Sequence, residues 1–302
     1  MNVEELRRRR LHLERRAALF HALRDTLERA DFLEVETETA ISAPAPEEFI
    51  EAIPAGGRVL RTSPELAMKI MLAAGYPRIY QIGRCFRADE HGRKHRSEFT
   101  MLEFYAANWD YRELADFTFQ LVAEAARHLG CGAALPFQGD TIDLAAGPEW
   151  ITVSEAFRRW TETSADAAEA DGSFDEAMVT KIEPELGRGR VTFLADYPAG
   201  RASLARLRAD DPTRAERWEM YIGGVELANA FGELTDAAEQ RRRFADARDF
   251  RRRAGMLAYP EPEDFYAALE SGLPPCAGAA LGLDRLAMIF CDTADIADVR
   301  AE

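Results

Sequence analysis

The sequence predicts an α+β fold, a mainly antiparallel sheet flanked by helices. Three observations carry this. Residues 217–231, RWEMYIGGVELANAF, hold two alternating apolar runs joined by Gly223-Gly224, a tight-hairpin signal because both glycines accept positive φ. Residues 86–105 read as the end of one strand, a charged loop and a second alternating strand. Segments of helical period, 4–30 and 112–130, bracket that pair.

Taken in order, residues 4–30 place Leu11, Ala18, Leu19, Leu23 and Leu27 near helical spacing among arginines and glutamates, an amphipathic helix. Phe32 to Thr37 alternates as a short strand. In TSPELAMKIMLAAG, residues 62–75, Thr62 or Ser63 caps a helix, Pro64 fits its first turn and Gly75 its stop. Glu65 then sits at the N-terminal end, where a carboxylate at least complements the helix dipole. On the strand after the charged loop, Phe99, Met101, Glu103 and Tyr105 share one face by period two. The loop itself concentrates Arg87, Arg93, Lys94, His95 and Arg96, cationic groups suited to a polyanion.

Residues 161–189, rich in Ala, Asp and Glu, read as a helical surface insertion, after which 196–207 returns to the core. With no internal repeat or low-complexity linker, residues 1–302 are expected to form one domain. In the 217–231 hairpin, Glu219 and Glu226 fall diagonally on one face, roughly 7 Å apart. Two carboxylates so placed share divalent cations through oxygen ligands. Gly278 to Arg285, GAALGLDR, is a glycine- and alanine-rich strand leading into a helix, where backbone can approach a ligand closely.

Bulk composition narrows the function. The net charge of −15 argues against a general tRNA or DNA binder, since phosphate contacts dominate such affinity. No run approaches the roughly 18 apolar residues of a membrane span, and the arginine-rich start lacks the apolar core of a secretory signal. The four cysteines, 85, 131, 276 and 291, have neither zinc nor disulfide-framework spacing, so the expectation is a cytoplasmic protein with reduced thiols and no membrane. Neither a Walker A loop nor a G-x-G-x-x-G turn occurs.

The stretch FRADEHGRKHRSEFTMLE (86–103) resembles motif 2 of the class II aminoacyl-tRNA synthetases in their lysyl branch, FRNE…HNPEFTMLE. FLEVETE (32–38) resembles motif 1, with Glu38 for the motif's proline; ELANAFGELTD (226–236) resembles ELANGFHELTD; and 278–285 resembles motif 3. The resemblance spans about Leu19 to Phe290. It implies the class II catalytic fold, a homodimer, ATP and Mg2+. It implies Arg87 and Arg285 as the catalytic arginines at the α-phosphate, and Glu219 and Glu226 as metal ligands. ATP contacts are implied for Arg87, Ala88, Asp89, His95, Arg96, Phe99 on adenine, Glu226, Leu227, Gly282 and Arg285. Substrate contacts are implied for Ser63, Pro64, Glu65, Glu103, Tyr105, Asn229, Glu233 and Ala280, with Glu233 on the distal amine of a lysine-like substrate. Strict alternation would put Asn229 and Glu233 opposite Glu226, so a bulge is expected near 230–232. Asp89 stands where the family has Glu, and Arg96 where it has Asn.

Within the family, the catalytic core is expected to begin in the first helix with no OB-fold before it, and Ala280 replaces a glycine of the tRNA synthetases. These features, with the acidic charge, resemble the elongation factor P (R)-β-lysine ligase family. That implies lysine or β-lysine as substrate, elongation factor P as protein acceptor, and no full tRNA. The alternatives are a truncated lysyl-tRNA synthetase-like ligase with another acceptor and a non-catalytic synthetase-like regulator.

Overall fold

The structure, a computed structural model, describes residues 3–302. Helix α1 (Val3–Arg29) exists because Leu19, Leu23 and Leu27 recur on one face; all three are fully buried. Phe32, just beyond, stacks on Phe117 with ring centroids 5.2 Å apart and packs edge-on against Phe104 and Trp109. The expected strand from 32 to 37 is reduced to β1 (Leu33–Glu34). Its ladder is taken over by the Gln81 side chain, whose Oε1 accepts from Thr37 N at 2.8 Å. Three short strands, β2 (Ala40–Ile41), β3 (Pro54–Ala55) and β4 (Arg58–Leu60), form a small separate sheet.

Helix α2 (Glu65–Ala73) follows, with Pro64 at its N-cap. Ser63 Oγ accepts from Glu65 N at 3.0 Å, and Gly75, at φ 95°, ends the segment. The charged loop joins β5 (Arg78–Phe86) to β6 (Glu98–Ala107). Helix α3 (Tyr111–His128) starts from a complete capping box between Asp110 and Glu113. A second small sheet, β7 (Ala134–Phe137) with β8 (Asp140–Asp143), leads to β9 (Glu149–Thr152) and α4 (Val153–Trp160).

Residues 161–189 are helical in pieces: α5 (Ala165–Asp171), α6 (Phe174–Ala177), a π turn over Met178–Ile182 and a 3-10 turn over Glu183–Glu185. Ala165, Ala168, Phe174 and Ile182 are buried in a cluster that also holds Leu194 and Tyr221, so the stretch seals one side of the sheet besides facing solvent. The remainder comprises β10 (Thr192–Pro198), β11 (Arg214–Ile222), β12 (Val225–Gly232), α7 (Ala237–Arg253), α8 (Glu263–Gly272), β13 (Cys276–Gly282) and α9 (Leu283–Phe290).

Eight strands make the main sheet in the order β1-β5-β6-β13-β12-β11-β10-β9, antiparallel except for the parallel pairs at its two edges, β1 with β5 and β10 with β9. Its two faces divide the labour. Leu102, Phe104, Trp218, Met220, Ala228, Ala230, Ala279 and Leu281 point into a core that includes buried residues of α1, α3 and α9. The opposite face, at the middle of the sheet, is left polar and concave.

Candidate active site

The β11–β12 hairpin turns through Gly223 and Gly224 at φ 58° and 72°, and pairs Ile222 with Val225 and Tyr221 with Glu226, the register its spacing dictates. Beyond that pair the register slips by one residue: Met220 opposes Ala228 and Glu219 opposes Asn229, where uninterrupted alternation would set Glu219 against Ala228. The extra residue is Leu227, so the bulge lies between Glu226 and Ala228 instead of at 230–232. The cause is apolar: Val225 and Leu227 enter the core at odd positions, Ala228 and Ala230 at even ones, and only an inserted residue satisfies both. Two adjacent apolar residues, Leu227-Ala228, were the readable sign. After the bulge, Asn229, Phe231 and Glu233 share the face of Glu226.

The face is therefore tiled in rows across four strands. One row runs Glu103, Ala280, Asn229, Glu219, and the next runs Tyr105, Gly278, Phe231, Arg217. Gly278 is required: a Cβ there would overlap the Tyr105 ring and stand 2.7 Å from Glu233 Oε1. Above the rows lies a cavity of about 370 Å³. Its lining includes Ser63, Glu65, Arg87, His95, Arg96, Phe99, Glu103 and Tyr105, and, from the other half of the chain, Glu219, Glu226, Leu227, Asn229, Glu233, Ala280, Gly282 and Arg285. Pro64, Ala88 and Asp89 are not among the lining residues; Asp89 occupies a left-handed loop position at φ 60°.

One end of the cavity is cationic. Arg87 lies over the Phe99 ring at 5.1 Å from the centroid, and its Nε is buried without an acceptor, a donor left for an anion. Its partner is Glu90, 3.4 Å away, an acid of the loop that the sequence reading passed over in favour of Asp89. Arg285 donates to the carbonyl of Glu226 at 2.9 Å and sits 2.6 Å from His95 Nε2. Burial first, then Arg285, pushes His95 below the ordinary imidazole range, so the ring is neutral and accepts this bond. Arg96 reaches the rim, but its guanidinium is held by Glu302 at 2.8 Å and by backbone carbonyls.

The other end is anionic around one buried cation that the sequence did not suggest. Lys69, fully buried on α2, places its ammonium 2.6 Å from Glu65 and 2.5 Å from Glu233. Glu65 is thus turned inward instead of exposed at the helix end. The Lys69 contact is made through Glu233 Oε2, which leaves Oε1 buried with no hydrogen-bond partner. Burial pushes Glu233 up to about 8, against the pull of Lys69. Burial and then Glu65 push Glu103 up to about 7, although Tyr105 and Ser63 donate to it at 2.5 and 2.7 Å. Three carboxyls crowd one ammonium, so Glu103 and Glu233 tend to keep their protons and would release them to pair with a further ammonium.

Between the two ends, Glu219 is held by Arg217 at 2.6 Å and by the Tyr221 hydroxyl at 2.7 Å, whereas the Glu226 carboxylate meets Arg285 at 3.3 Å. A third acid, Glu183 from the 161–189 stretch, is pushed up to about 7 by burial and then by Glu219 and Glu226. Among the described residues there is no group of three or more acids or imidazoles arranged as a metal cage. The surplus acidity at Glu183 and Glu226 nevertheless fits a hard cation that keeps waters and takes its other ligands from a substrate, as Mg2+ does.

Comparison with known proteins places these features. The family model described as "tRNA synthetases class II (D, K and N)" matches residues 3–301. The elongation factor P–(R)-β-lysine ligase of Proteus mirabilis is 42% identical over 252 residues, covering 80% of this chain and 76% of that protein. Its Yersinia enterocolitica counterpart is 36% identical over 96% of this chain and 94% of its own length. The lysine–tRNA ligase of Moorella thermoacetica is 36% identical over 94% of this chain, which spans 63% of that protein.

Proposed function

Because the chain belongs to the class II tRNA synthetases of the D, K and N group, we infer that it is an ATP-dependent ligase that activates (R)-β-lysine and transfers it to a lysine of elongation factor P. Relatives bearing that activity in their names support the substrate and acceptor. The observation that carries the reading is Glu233: a fully buried carboxylate, one oxygen on Lys69 and the other without a donor, in the wall of the cavity that Arg87 and Arg285 close at its other end.

In the first step a carboxylate oxygen of the amino acid attacks the α-phosphorus of ATP, and the bond to pyrophosphate breaks in line. Arg87 and Arg285 balance the charge that develops on the phosphoryl oxygens. Phe99 offers its ring to adenine, and the bulge at Leu227 brings backbone close to it. Glu219 and Glu226, with Glu183 beside them, would hold Mg2+ through oxygen ligands; that ion supplies charge neutralisation at the outer phosphates. Glu65, Glu103, Glu233 and Asn229 fix the two amino groups, and the Ala280 methyl, between Glu103 and Asn229, fills space that glycine would leave. In the second step the deprotonated acceptor amine attacks the acyl carbon, the C–N bond forms, and AMP departs. Positioning carries that step.

The protein works in the cytoplasm as a homodimer and charges no tRNA; the acidic net charge supports the last point. No described helix is long and apolar enough to cross a membrane. The test is incubation with ATP, Mg2+ and (R)-β-lysine, with elongation factor P or lysine tRNA as acceptor. The expected result is a mass gain of one β-lysyl group on the factor and none on the tRNA. Efficient tRNA charging, or no β-lysine-dependent ATP–pyrophosphate exchange, overturns it.

A further inference from the structure

A second cavity, about 510 Å³, lies between residues 46–49, the 199–207 segment and α7. It meets the active-site cavity at Glu47 and Arg217, the two residues that line both. The charges along it are unevenly satisfied. Arg242 is held between Glu239 and Asp246, 2.8 Å from each, and Arg243 lies 2.8 Å from Glu239. Arg201 binds Glu169 and Asp175, and Arg217 binds Glu219. Every arginine on the walls is therefore neutralised. Glu47 and Glu48 have no ion pair or side-chain hydrogen bond among the described residues, and Phe49, 71% exposed, stands beside them.

A passage whose unpaired charges are both carboxylates, with an apolar rim, suits one kind of visitor: an extended side chain with an apolar stem and a cationic tip. Glu47 is fixed at the junction because the buried Arg251 guanidinium grips its carbonyl at 2.8 Å and that of Ile50 at 2.9 Å. Its carboxyl is raised by burial first, with Arg87 opposing, as expected of an acid awaiting a cation. We propose that this second cavity is the entrance for the acceptor's lysine side chain, with Glu47 as the residue that receives its ammonium, which gives up its proton to the Glu47 carboxylate before the neutral amine attacks the adenylate. The proposal rests on the ligase reading above and adds a separate mouth for the protein substrate.

The test separates the two. Adenylate formation is read by ATP–pyrophosphate exchange, and its discharge by three nucleophiles: the protein acceptor, Nα-acetyl-lysine amide, and hydroxylamine, which is small and uncharged at neutral pH. In Ala247→Trp, which fills the passage from α7, the rate of protein transfer relative to exchange is expected to fall at least about tenfold. In Glu47→Gln, discharge by the two lysine amines falls by a similar factor relative to hydroxylamine, and Glu47→Asp recovers part of it. Should both Ala247→Trp and Glu47→Gln keep the wild-type ratios, the entrance lies elsewhere; if Ala247→Trp fails to fold, Glu47→Gln alone decides. Wild-type protein that shows no exchange, or no transfer to the factor, instead refutes the ligase reading.

Discussion

Lys69 is the residue on which the anionic end of the cavity turns. Its ammonium touches two of the three carboxyls around it, which helps so many acids to be buried together. Removing one partner from a buried ion cluster typically costs about 3–5 kcal/mol, so Lys69→Met should lower the urea midpoint by a corresponding amount. Glu233→Gln keeps the shape and removes the charge; exchange with lysine-like substrates should lose kcat/KM by about 100-fold or more, while dependence on ATP concentration changes little. Glu65 and Glu233 were legible from their motif neighbours, but Lys69 was not, because a lysine at helical spacing reads as solvent-facing until the sheet closes over it. Glu47 escaped for a similar reason: nothing in a loop sequence announces that its carboxyl turns inward.

At the scale of elements, the bulge at Leu227 and the strap at 47–52 do most to shape the site. The hairpin, its glycine turn and its first two pairs followed from alternation, and the need for a bulge followed from the side chains that had to share a face. Its position did not, since locating it required weighing the core preference of Leu227-Ala228 over the glycine at 232. The strap is held by Arg251, which donates to four backbone carbonyls, at 47, 48, 50 and 257, and lies 2.7 Å from Glu51. The Tyr259 hydroxyl accepts from Ala52 N at 2.7 Å. Arg251→Met strands those carbonyls and should cost about 2–4 kcal/mol, seen in urea melts. It should also speed limited proteolysis between residues 46 and 52.

For the molecule as a whole, the raised carboxyls make stability depend on pH in an unusual direction. Glu103 near 7 and Glu233 near 8 hold protons in the folded state that the unfolded chain, with ordinary carboxyls, has already released. Their stabilising contribution is thus complete below about pH 4.5 and is lost progressively as pH rises to about 7 to 8. The melting temperature of the free protein should fall between about pH 4.5 and 8 and level off above, and a diamino acid should flatten that fall because its ammonium replaces the lost protons. By the same linkage, substrate affinity should rise with pH over this interval, measurable by calorimetry in buffers of different ionisation enthalpy. The α+β class and the antiparallel centre of the sheet were legible from alternation and turn chemistry. The strand order was not, because β13 follows two helices in the chain yet inserts between β6 and β12.

That insertion governs when the protein acquires its site. Both rows of the floor need β13, through Ala280 in one and Gly278 in the other. A nascent chain halted before residue 276 already contains Arg87 of the loop, the paired acids of the hairpin and the buried lysine. It still has two half-sheets with unsatisfied edges and nowhere for a substrate to lie. Ligand-assisted folding is therefore confined to the closing event, when the strand slots in and all four contributors to each row come into register at once.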